Sequence, residues 1–104
     1  MTVQGRPAPP PASVTLLTQP DCALCEHAKG VLGRVAADHP LVVTEVDLSA
    51  PAGRDLAMRH RVLFAPGILI DGQPFSYGRL SEKKLRRHLV RQQQIASPVG
   101  QADE

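Results

Sequence analysis

Tryptophan is absent, and one tyrosine and two phenylalanines are the whole aromatic complement, 3% of 104 residues. So sparse a set offers no stacking platform for single-stranded nucleic acid. Charge points the same way: 12 basic against 10 acidic residues leave a formal net charge of +2, too mild to imply a nucleic-acid partner. No apolar run approaches the ~20 residues that cross a bilayer. The N-terminus, Met1-Thr2-Val3-Gln4-Gly5-Arg6-Pro7, lacks the apolar stretch of a secretory signal. A soluble, cytoplasmic protein without a membrane partner is expected. Cysteine is scarce too, with two residues. In a reducing compartment a lone pair is rarely a structural disulfide, and a chain of this length can fold without one. The pair points to catalysis or metal binding.

What is present suits one domain, with 42% hydrophobic residues. Residues 1–12 form a flexible Pro-rich arm, because the prolines between Gly5 and Ala12 fix φ and remove amide donors. Residues 92–104 are a polar tail, and the domain spans 13–91. Within it strand and helix patterns alternate. Val14 to Thr18 is a β-branched first strand, after which Pro20 breaks the strand and Asp21 is the expected N-cap. Cys25, Ala28, Leu32, Val35 and Ala36 recur at helical spacing. Leu41 to Leu48 reads as a second strand, parallel to the first. Pro51 opens a helix ending near His60, with Leu56 and Ala57 inward. Gly67 to Ile70 is a third strand, and Asp71-Gly72 a hairpin turn into a fourth near Pro74 to Ser76. Ser81 caps a last helix with Leu85, Leu89 and Val90 inside. The fold class is α/β, a βαβαββα sandwich with a mixed four-stranded sheet.

The chemistry lies in Cys22-Ala23-Leu24-Cys25, where the first strand turns into the first helix. Residues three apart on a helix are neighbours, so both sulfurs can reach bonding distance. Cys22 stands at the helix start, where unpaired N–H groups and the positive end of the dipole stabilise an anion. Thiols so placed have pKa values of roughly 3.5–7.5 in place of about 8.5. Cys22 is therefore the expected nucleophile and Cys25, one turn deeper, the resolving thiol. The competing reading is half of a zinc site. Zinc needs four ligands; no second Cys or His pair has the usual spacing, and His27 points away from the pair. No metal is expected.

Ala65-Pro66 precedes the third strand, and an X–Pro bond is the one most able to be cis, although a loop proline is ordinarily trans. Together with Thr18-Gln-Pro-Asp-Cys-Ala-Leu-Cys25, Phe64-Ala-Pro-Gly-Ile-Leu-Ile-Asp-Gly72 and the closing amphipathic helix, it resembles the thioredoxin superfamily, most closely its glutaredoxin-like branch, from Val14 to Val90. The resemblance implies a thiol–disulfide oxidoreductase active in electron transport. It implies a cis Pro66 facing the cysteines, and an Ala65 backbone that pairs with extended substrate. Tyr77 is a candidate for the substrate rim. Two other classes compete with this one. In an iron–sulfur or metal-binding carrier, Cys22 would ligate a cluster with external thiols, but such relatives use a single cysteine with Gly-Phe-Ser. Metal-chaperone domains follow a βαββαβ order.

Departures from the family narrow the electron source. Thioredoxins place a buried acid where Leu16 stands, and their Trp-Cys-Gly-Pro-Cys is missing. Glutaredoxins place Lys at Gln19, Thr-Val at Phe64-Ala65, and Gly-Gly at Ser76-Tyr77 or Tyr77-Gly78. Several glutathione contacts are thus altered. The expectation is no bound cofactor and an external reductant, a flavoenzyme of thioredoxin reductase type or another dithiol protein in preference to glutathione. The expected partners are that reductase and disulfide-containing proteins, and the expected state is a monomer. Lys83, Lys84, Arg86, Arg87, His88 and Arg91 read as a solvated helix face in preference to an acidic-partner dock, with Arg91 suiting the C-terminal dipole. His60 reads as a surface residue. Phe64 and Phe75 read as packing residues.

Overall fold

The computed structural model describes residues 10–96. The outer parts of the Pro-rich arm (1–9) and of the polar tail (97–104) lie outside the described residues. The elements run β1 (Ala12–Thr18), α1 (Ala23–Ala36), β2 (Leu41–Asp47), α2 (Pro51–His60), β3 (Gly67–Ile70), β4 (Gln73–Tyr77) and α3 (Glu82–Ala96). The sheet order is β2-β1-β3-β4. β1 and β2 are parallel, because a helix must carry the chain back between them. β3 is antiparallel to both β1 and β4.

Alternation decides which face each strand buries. Val14 and Leu16 of β1 and Ile68 and Ile70 of β3 point to one face. There they meet Ala28, Val31, Leu32 and Val35 of α1, then Leu80, Leu85 and Leu89 around α3. Each fully buried Leu, Ile or Val contributes roughly 1.5–3 kcal/mol, so this layer dominates stability. On the other face Val62 and Leu17 both close on Gly67. Asp71 and Gly72 take φ of 50° and 80°, the left-handed pair that a two-residue hairpin turn requires. The Asp71 N–H donates to the Ser13 carbonyl at 2.7 Å, and the Ser13 N–H to Asp71 Oδ1 at 2.9 Å. This pins the hairpin to β1.

Four expectations need correction. Ala36 is exposed and Val31 is buried, so the inner stripe of α1 runs through 28, 31, 32 and 35. Val90 is exposed, leaving Leu85 and Leu89 to anchor α3. That helix continues to Ala96, so 92–96 are helical and Arg91 is outside the last turn. Arg86 leaves the solvated face: it pairs with Asp38 at 2.7 Å and Glu82 at 3.0 Å, tying α3 to the end of α1. Lys83, Lys84, Arg87 and Arg91 remain exposed, and His60 is half-buried.

Candidate functional site

The site is built at one end of the sheet. Thr18 closes β1 in register with Asp47 of β2. Leu17 lies opposite Gly67 at the start of β3, and Gly67 opposite Tyr77 at the end of β4. The turn after β1, the chain entering β3 and the chain leaving β4 therefore share an edge. Cys22, Pro66 and Tyr77 belong to those three segments.

Cys22 is the N-cap of α1, with φ −118° and ψ 103°, and its Sγ accepts the Cys25 N–H at 3.1 Å. Asp21, expected in that role, instead takes φ 52° in the turn. Aspartate tolerates the left-handed region, and the extended residue after it becomes the cap. The sulfur thus occupies the place where a serine or aspartate oxygen ordinarily meets a free helix N–H. Cys22 and Cys25 are joined as a disulfide, with Cα atoms 5.2 Å apart. Cys22 is half-buried, whereas Cys25 is 1% exposed. Leu16 is fully buried in the core, and no buried polar or charged residue occurs among the described residues.

The Ala65–Pro66 peptide is cis. Both residues are buried, and the Pro66 carbonyl accepts the Gly78 N–H at 2.8 Å. Among the described residues, the Ala65 N–H and C=O have no hydrogen-bond partner. Tyr77 is half exposed, and its ring meets that of Phe64 edge-on at 5.0 Å. Phe64, read as a core or hairpin packing residue, packs on the hairpin and not in the core. It is 54% exposed, and its ring lies close over Gly78, where a Cβ would come within 3.1 Å of Cε1. Its exposure beside Tyr77 is the feature of this end of the sheet that the sequence did not reveal. Phe75 does pack, half-buried against the core, with its ring 5.1 Å from His88.

A model of the glutaredoxin-like domain (DUF836) matches residues 13–90. The chain belongs to the glutaredoxin-like family. Among curated proteins none matches it. Solved structures of similar fold include a mutant thioredoxin from Halobacterium salinarum NRC-1, 18% identical with TM-score 0.59, covering 75% of this chain and 71% of that one. A mutant of the thioredoxin-like protein BC3987 is 25% identical with TM-score 0.58, covering 74% and 97%. An uncharacterised thioredoxin-like protein from Clostridium perfringens is 15% identical with TM-score 0.63, covering 78% and 70%. This glutaredoxin-like chain therefore has the thioredoxin fold. With its Cys-x-x-Cys pair it falls in a family of thiol–disulfide oxidoreductase type.

Surface ion pairs join the elements of the glutaredoxin-like domain. The Arg34 guanidinium, then that of Arg86, holds the Glu82 carboxyl below the usual carboxylate range. Hydrogen bonds from the Ser49 side chain and backbone lower Asp47. Among the described residues no group of three or more His, Cys, Asp or Glu could hold a metal ion. No described helix is long and apolar enough to cross a membrane.

Proposed function

We propose that the protein is a thiol–disulfide oxidoreductase that reduces disulfides through Cys22 and Cys25. One observation carries the reading: Cys22 Sγ caps the first turn of α1 and accepts the Cys25 N–H. In the reduced protein the same N–H groups and dipole stabilise the Cys22 thiolate. That thiolate attacks a substrate disulfide and forms a mixed disulfide, and one substrate thiolate leaves and takes up a proton. The Cys25 thiol loses its proton and attacks the Cys22 sulfur, which expels the second substrate thiolate. Two electrons pass to the substrate, and Cys22–Cys25 becomes a disulfide. No buried acid stands at Leu16 to take the Cys25 proton, so the substrate thiolate released first is the base that receives it.

Ala65 and Pro66 supply the platform: the unpartnered Ala65 backbone pairs with the substrate segment, and Tyr77 borders it. The reductant that restores the dithiol is external, a flavoenzyme of thioredoxin reductase type or another dithiol protein. Glutathione is disfavoured. Exposed Gln19 offers it no cation, and a charge-assisted hydrogen bond is worth roughly twice a neutral one. The Phe64–Tyr77 pair stands where close backbone approach would be needed. The protein acts as a cytoplasmic monomer. The test offers the oxidised protein either glutathione with its reductase, or NADPH with thioredoxin reductase. Faster reduction by the second system supports the reading; turnover with glutathione at a dedicated glutaredoxin's rate contradicts the choice of reductant.

A further inference from the structure

Of three aromatic side chains, two stand in solvent at the disulfide end of the sheet. Phe64 is 54% and Tyr77 41% exposed, and they brace each other edge-to-face. Leu24, between the cysteines, is 36% exposed, and Leu63 is 74% exposed. The remaining exposed large apolar residues are scattered over β2, α2 and α3. Contiguous exposed apolar groups mark interaction sites, whereas scattered ones need no explanation. Burial inside the molecule cannot account for this group. Gly78 at φ 83° keeps the chain flat under the Phe64 ring: a Cβ there would come within 3.1 Å of Cε1. The ring is thus supported from below and open above.

Beside the aromatic pair the exposed charge is cationic: Arg61 lies two residues before Leu63 and Arg79 two after Tyr77, and neither has an ion pair among the described residues, whereas Asp21 and Glu26 flank Leu24. A membrane surface is a poor occupant, since two half-open rings and two leucines on separate segments make no amphipathic helix. An unpaired strand of protein fits better, because the unpartnered Ala65 backbone lies between Phe64 and the cis proline.

We propose that Phe64, Tyr77, Leu24 and Leu63 form a docking surface for an extended protein segment whose disulfide cysteine is flanked by large apolar residues, with acidic residues beyond them. This rests on the thiol–disulfide reading and names its substrate class. The aromatic pair sets the preference for the apolar neighbour. Arg61 and Arg79 draw the acidic flank and raise the rate of encounter.

The probes are short peptides, each oxidised to a dimer through a single cysteine. In one, leucines flank the cysteine with aspartates beyond. In the second, glycines replace the leucines; in the third, lysines replace the aspartates. A small hydroxyalkyl disulfide reports the chemistry alone. With the full reduced chain, the leucine peptide should exceed the glycine peptide in kcat/KM about tenfold, equivalent to about 1.4 kcal/mol. The lysine version should be severalfold slower at low salt. Phe64→Ala with Tyr77→Ala should reduce the leucine-to-glycine ratio to about twofold. Phe64→Leu alone, which keeps apolar area, should retain most of the ratio and guards against a folding artefact. Equal rates for leucine and glycine peptides, or an undiminished ratio in the double variant, overturn the docking surface alone. Failure with the small disulfide and with every peptide overturns the thiol–disulfide reading as well.

Discussion

Replacing Gly53 by alanine sets two effects of opposite sign against each other. Gly53 lies in the first turn of α2, and alanine is the better helix former by about 0.8–1.0 kcal/mol. On propensity alone the variant gains stability. The packing forbids it. A Cβ at Gly53 would lie 2.0 Å from the Asp47 carbonyl oxygen, 2.8 Å from its carbon and 3.1 Å from Leu48 Cα. All three are backbone atoms, so no side chain can swing aside; the start of α2 must lift away from the end of β2. Overpacking of this kind costs about 1–3 kcal/mol, and a backbone clash this close belongs at the top of that range. The net loss is about 2 kcal/mol, a drop in Tm of roughly 10 °C for a domain of this size. Gly33→Ala is the matched control, since nothing lies within 4 Å of its Cβ position in α1. It should gain a few tenths to about 1 kcal/mol. Urea titration of both variants reads the two numbers directly. A Gly53→Ala protein as stable as Gly33→Ala would refute the close approach of α2 to β2.

Three further outcomes are expected. With limiting alkylating reagent at neutral pH, the reduced protein should label at half-buried Cys22 before Cys25; Cys25→Ser should trap a mixed disulfide visible by mass, while Cys22→Ser traps none and is inactive. Glu82, depressed by Arg34 and Arg86, stabilises the fold above its unfolded pKa, and this stability is lost as pH falls through the lower folded value. Glu82→Gln should therefore narrow the stability difference between neutral and acid pH, and an unchanged difference would show that Glu82's ion pairs with Arg34 and Arg86 contribute nothing. Gln19→Lys with Tyr77→Gly should raise activity in a glutathione-coupled assay severalfold, and no gain would remove both residues from the account of reductant choice.

The order of elements was legible because each carries its own punctuation. Pro51 and His60 bound α2 as expected, and β3 occupies Gly67–Ile70 as read from its apolar run before Asp71-Gly72. The cysteine pair, the proline before β3 and Tyr77 on an exposed rim were likewise readable. What escaped depends on tertiary context. Asp21 has the right chemistry for a cap, but its backbone turns left-handed and passes the role to a sulfur. Phe64 is as apolar as any core residue, yet it lies exposed with its ring against Tyr77 and close over Gly78, a placement that depends on the hairpin. Arg86 looks like its neighbours in a basic run until α1 brings Asp38 alongside. The end of α3 carries glutamines with no apolar repeat, so its helix had no periodic signal. Gly53 is invisible without the Asp47 carbonyl that touches it.

On the proposed function, Cys22 and Cys25 interconvert between dithiol and disulfide while a substrate is reduced. Mixing the reduced full chain with a disulfide peptide, then counting liberated peptide thiols and mapping the protein's cysteines by mass, tests it most directly. Each disulfide bond reduced should yield both peptide thiols and one Cys22–Cys25 disulfide. Release of peptide thiols while Cys22 and Cys25 stay reduced, or no release at all, would contradict it.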